Sequence, residues 1–163
     1  RVGGYRAGDI PEDYELWLRL VAEGYRLGAV ADTVVHLRDH PTRLTRTDAR
    51  YRRAAFDRVK MAWLESGPLA ERSRVAVWGA GRTGRNWLRW VREQGHVAAG
   101  VIDPFQGTER QGVRVYPPSE LPRLRADVLL VAVGFPGARD KIRRSLKDLC
   151  PEWKEGKDWW AVC

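Results

Sequence analysis

Val75-Ala76-Val77-Trp78-Gly79-Ala80-Gly81-Arg82-Thr83-Gly84 is the stretch on which the fold turns. A short apolar run ends in three glycines spaced G-x-G-x-x-G, and a helical pattern follows over residues 82–94. Each glycine in such a strand–loop–helix unit has its own task. The first makes a tight turn, the second lets backbone approach a phosphate, and the third lets helix pack close to sheet. The helix N-terminus then offers unpaired N–H groups and partial positive charge to an anion. Asp103 lies 19 residues beyond Gly84, at the end of a second strand expected over residues 97–102. An acid in that place binds ribose hydroxyls, and Pro104 stiffens the corner beside it.

Downstream, residues 113–116 read as a short strand, and Pro117-Pro118-Ser119 opens a helical turn through Leu121. The run Asp127-Val-Leu-Leu-Val-Ala-Val133 suits a strand buried on both faces. A helix over residues 136–149 and an edge strand over 159–162 complete the pattern. The expected class is α/β: a small Rossmann-like parallel sheet over residues 71–163, with helices on both faces. Its candidate nucleotide-binding residues are Gly79, Gly81, Arg82, Gly84 and Asp103. The alternative for the same motif is a scaffold whose loop holds no ligand.

The sequence changes character over residues 71–74, so two domains are expected, 1–70 and 71–163. The first is mostly helical. Over residues 10–24, Pro11 suits the first helical turn, and Glu12, Asp13 and Glu15 place negative charge at the positive end of the helix dipole. Leu16, Leu20 and Val21, with Trp17 beside them, form the expected apolar stripe, and Gly24 the stop. Residues 25–37 favour extended structure through Val30, Val34 and Val35. A second helix is expected over 47–65, capped by Thr47 or Asp48, with Ala55, Val59, Ala62 and Trp63 on one face. Ser66-Gly67-Pro68 ends it.

The chain has 163 residues, 44% hydrophobic and 31% charged, which excludes disordered and fibrous classes. No apolar run approaches the ~20 residues of a membrane-spanning helix, and a cytoplasmic location is expected. Arg1-Val2-Gly3-Gly4 reads as the interior of a longer protein, so the chain is expected to be a fragment. Cys150 and Cys163, with three histidines, make neither a disulfide framework nor a zinc site. The net charge of +8 comes from 24 arginines and 5 lysines scattered along the chain. That spread points to a solvated basic surface or an acidic phosphate ligand rather than to nucleic acid.

Residues 74–163 resemble the small Rossmann-like modules associated with sugar nucleotides. The matching features are Val-Trp-Gly-Ala-Gly-Arg-Thr-Gly, Val-Ile-Asp, Gly-Val-Arg-Val-Tyr-Pro-Pro-Ser-Glu-Leu, and Val-Ala-Val-Gly with Arg139 beyond it. Such modules form the N-terminal part of bacterial sugar acyltransferases and also occur appended to glycosyltransferases. The resemblance implies a nucleotide or nucleotide-sugar at the glycine loop.

Residues 2–54 resemble the closing part of a bacterial family-two glycosyltransferase of GT-A fold. The resemblance rests on Gly3-Gly4-Tyr5-Arg6, on Pro-Glu-Asp-Tyr-Glu-Leu-Trp-Leu-Arg-Leu and on Leu-Arg-Asp-His-Pro-Thr-Arg-Leu-Thr. By it, Asp13 is the general base that deprotonates an acceptor hydroxyl, with Glu12 as alternate. Arg38 and His40 match a segment near the departing diphosphate. The same acids otherwise serve only the helix dipole.

The family's aspartate-rich metal motif is missing, for no Asp-x-Asp occurs in the chain. The parent enzyme would need a divalent cation or equivalent charge at its diphosphate, and this piece alone is expected to be inactive. Two other readings are a non-catalytic nucleotide-binding module and an NAD(P)-linked oxidoreductase fragment. A glycan or other acceptor is the expected partner of the parent, and the exposed N-terminal helices invite a homo-oligomer.

Overall fold

The structure is a computed structural model that describes residues 2–71, 73–105 and 107–163. Arg1, where the expected internal start falls, and Arg72, within the expected boundary, lie outside the described residues. The chain divides into two units, Arg1–Ala70 and Glu71–Cys163.

In the first unit, helix α1 spans Glu12–Ala22 with all three acids in its opening turn. Pro11 occupies the N-cap, one position earlier than its expected place inside the helix. Gly24 closes α1 at φ +82°, its N–H donating to Val21 O while Tyr25 N–H reaches back to Leu20 O. These paired bonds satisfy carbonyls that the helix end would leave bare. The expected apolar stripe is half-buried at Leu16 and Leu20 and exposed at its margin. Trp17 and Val21 are 48% and 43% exposed, whereas Glu15 is buried. Glu15 is buried as an ion pair: both its oxygens accept from Arg19, at 2.7 and 2.8 Å.

Residues 25–37 form no strand, and Val30, Val34 and Val35 stand exposed. The single helix expected over 47–65 is broken into a short α2 at Leu44–Thr47, a 3-10 turn at Ala49–Tyr51, and α3 at Arg53–Ser66. Asp48 makes the break. Its backbone is extended, and its carboxylate accepts from both the N–H and the guanidinium of Arg50, an alternative to helical bonding that short acidic side chains offer. Along α3 the buried residues are Ala55, Val59 and Leu64; Ala62 is exposed and Trp63 half-buried.

The second unit is an α/β domain with a six-stranded sheet, ordered β3-β4-β2-β1-β5-β6. The strands are β1 (Arg74–Trp78), β2 (Val97–Ile102), β3 (Glu109–Arg110), β4 (Val113–Tyr116), β5 (Val128–Val131) and β6 (Trp159–Ala161). All pairings are parallel except β3 with β4. Helix α4 (Arg82–Glu93) packs on β1 and β2, burying Trp87, Leu88, Trp90 and Val91. Helix α5 (Ala138–Leu149) and a 3-10 segment, Pro118–Leu124, cover the face carrying Ala76, Trp78, Leu129 and Val131. Alternation along β1 sends Val75 and Val77 to the opposite side, so the sheet has helices on both faces.

The run 127–133 forms a strand only over Val128–Val131, and at its start the Asp127 carboxylate accepts Arg74 N–H at 2.7 Å. The β3–β4 hairpin goes beyond the single short strand expected here. Its two-residue turn places Gln111 at φ 50° and Gly112 at φ 75°, the handedness that lets a tight hairpin follow strand twist.

Candidate functional site

Strand β1 lies between β2 and β5, so the loops following these three strands meet at one edge of the sheet, where parallel sheets receive ligands. The glycine loop is the middle one. Gly79 turns the chain at φ +117° and donates its N–H to Ile102 O at 2.7 Å. A Cβ there would stand 2.9 Å from Val133 Cγ2 and 3.0 Å from Ala132 O. At Gly84 a Cβ would lie 1.7 Å from Gly79 O, so α4 packs against its own loop with no room for a side chain. Gly81 is different in kind: its φ is −72°, and a Cβ would meet nothing within 4 Å.

Ala80, between the first two glycines, is held at both ends of its peptide environment. Its N–H donates to Asp103 Oδ2 at 2.8 Å, and its carbonyl accepts from Arg110 Nε at 3.2 Å. The other Asp103 oxygen accepts Phe105 N–H at 2.9 Å. Asp103 thus sits beside the loop, as the spacing requires, with its carboxylate bonded to backbone. Arg82 is exposed at the start of α4, whose first turn contains no acid and receives no side-chain cap. The structure therefore gathers Gly79, Gly81, Arg82, Gly84 and Asp103 at one edge. Phe105 and Phe135 stand on the loops to either side, 89% and 59% exposed. Sequence reasoning misses Arg110, although Gln111-Gly112 is a hairpin-turn signal that could have placed it.

In the helical unit, Glu12 Oε1 accepts the Tyr51 hydroxyl at 2.7 Å. That bond holds the Glu12 carboxyl below its usual range and raises the Tyr51 phenol above its own. The second Glu12 oxygen is enclosed and has no hydrogen-bond partner among the described residues. Asp13 is exposed, and its Oδ1 accepts Tyr14 N–H at 2.8 Å. Arg38 and His40 are exposed on the segment that follows α1; His40 Nδ1 lies 3.0 Å from Thr42 Oγ1. No hydrogen bond or ion pair joins either of them to Glu12 or Asp13 among the described residues.

A cleft of about 400 Å³, lined by Ile10, Leu18, Val59 and Trp63, has the Glu15–Arg19 pair in its wall. The Glu15/Arg19 spacing of four residues is the sequence signal for it. Arg6 adds a second cation, 3.2 Å from Glu15.

Comparison with protein-family models and with curated proteins finds no match for this chain.

Proposed function

We propose that this chain is the acceptor-side end of a family-two, GT-A type glycosyltransferase joined to a Rossmann-like module, and that the module holds a nucleotide diphosphate or nucleotide-sugar at its glycine loop. The contrast between Gly81 and Gly84 carries the module's part. Close packing explains the glycine at 84, and the positive φ explains the one at 79. Neither applies at 81, where backbone conformation and space would both admit a side chain. The remaining demand is approach of a ligand to the main chain, beside the uncapped first turn of α4.

The glycosyltransferase part rests on the order and spacing of the quoted motifs. In this reading Asp13, exposed at the start of α1, takes the proton of the acceptor hydroxyl as it attacks the sugar. Glu12, bonded by Tyr51 and with its other oxygen enclosed, is the poorer base. Arg38 and His40 belong on the side of the departing diphosphate. The described residues contain no group of three or more His, Cys, Asp or Glu side chains arranged to hold a metal ion. These residues therefore do not fit a divalent-cation site, and no step is assigned to one.

Calorimetric titration with a uridine diphosphate sugar, NAD and NADP tests the module. The expected result is nucleotide-sugar binding that Gly81→Val abolishes without loss of the folded state. Binding unchanged in that variant would place the ligand elsewhere. Absence of binding by all three would leave the loop as scaffold.

A further inference from the structure

The arginines that look scattered in the sequence are not scattered on α4. Arg82, Arg85, Arg89 and Arg92 recur at intervals of three, four and three residues, and all four are exposed. At 100° per residue they fall within an arc of about 80°, along about 15 Å of helix. The opposite face, with Gly84, Trp87, Leu88, Trp90 and Val91, is buried against the sheet. Among the described residues, Arg82, Arg85 and Arg89 have no carboxylate partner, while Arg92 donates to the carbonyl of Gln111. Within α4 itself the one acid is Glu93, at the end of the helix.

That arrangement works against the stability of the helix. Like charges three and four residues apart repel, and Arg82 and Arg85 place positive charge at the positive end of the helix dipole. Three arginines elsewhere in the same unit do have carboxylate partners: Arg123 with Glu120, Arg139 with Glu155, and Arg143 with Glu155 and Asp140. An anionic partner lying along α4 would turn this repulsion into attraction.

We propose that the outer face of α4 is a docking surface for an anionic phospholipid bilayer. The row is straight and outward-facing, which suits a planar array of headgroup phosphates. Proteins that hold single-stranded nucleic acid set aromatic rings among their arginines to stack the bases. Here both aromatic residues of α4, Trp87 and Trp90, are turned inward and buried. A duplex reader inserts a helix into the major groove, whereas α4 lies against β1 and β2, with the hairpin turn at Gln111 beside its last turn.

The test is co-sedimentation of the full chain with vesicles of phosphatidylcholine, with and without about one-third phosphatidylglycerol. Basic residues near such a surface contribute enough attraction for the anionic lipid to raise partitioning on the order of 10²-fold at low salt, an effect that salt then weakens. Arg85→Gln with Arg89→Gln should lower it about tenfold or more. Lys141→Gln with Arg144→Gln, the same charge change on exposed positions of α5, should lower it less than twofold. Thermal unfolding of both double variants checks that each remains folded. Equal losses in the two would reduce the effect to net charge and overturn the proposal. So would indifference to phosphatidylglycerol, or tighter binding to single-stranded or duplex DNA at matched phosphate concentration. The loop's nucleotide binding is read separately by calorimetry, so either proposal can fail alone.

Discussion

Gly81 and Gly84 are three residues apart in one loop, and the structure predicts opposite outcomes for the same substitution. In Gly84→Ala the new Cβ would stand 1.7 Å from Gly79 O, where real Cβ atoms keep at least 3.0 Å. The start of α4 must then move from its own loop by about 1.3 Å, the difference between those distances. The obstacle is backbone, so no rotamer change relieves it. Overpacking of this kind costs about 1–3 kcal/mol, and a backbone-on-backbone clash belongs at the upper end. Alanine returns about 0.5–1 kcal/mol through lower flexibility of the unfolded chain. The net is a loss of about 2 kcal/mol, which for a domain of this size is a fall in Tm of about 8–16 °C. Gly81→Ala meets no atom and has an ordinary φ of −72°. Its stability should stay within about 1 kcal/mol of the parent and rise if it moves. Differential scanning calorimetry of the full chain reads both. A Gly84→Ala transition within about 3 °C of the unmodified protein, or an equal fall for Gly81→Ala, would refute the division of labour among the glycines.

Tyr51→Phe should release Glu12. The folded-state pKa of Glu12 is depressed, mainly by the tyrosine hydroxyl, so its contribution to stability is present above the ordinary carboxylate pKa and is lost as pH falls through the depressed value. The variant should show an upward-shifted Glu12 titration by NMR and less acid sensitivity of the helical unit below about pH 4.5, and an unmoved titration would count against the bond. In a longer enzyme containing these residues, Asp13→Asn should lower turnover on the order of 10²-fold or more, the usual share of a general base. Glu12→Gln should cost less, and near-normal turnover in the Asp13→Asn enzyme would remove the catalytic assignment.

The second unit was more legible in the sequence than the first, for physical reasons. Its strands are bounded by glycines and charged residues, and β5, with four consecutive buried aliphatics, has no competing helical reading. What escaped was short or polar: β3 has two residues, neither apolar, and nothing in hydropathy marks it. In the helical unit, periodicity was a partial guide to α1, whose Leu16 and Leu20 are half-buried while Trp17 and Val21 are exposed. Leu16, Trp17, Leu20 and Val21 outweigh Glu15 on any apolar scale, yet Glu15 is buried because Arg6 and Arg19 neutralise it. Periodicity also ran through Asp48, whose side chain accepts from Arg50, two residues on, where the helix stops. For the candidate site, the motif placed the glycines and Asp103 but gave no hint that Asp103 bonds the loop backbone.

Under the proposed function, that last contact changes what kind of receptor the loop would be. With Ala80 tied by Asp103 on one side and Arg110 on the other, the turn between β1 and α4 is set by its own protein before anything arrives. The ordering cost is met during folding rather than at the moment of capture. A ligand held there as proposed would meet a loop already in place, and discrimination would pass outward to the groups that frame it.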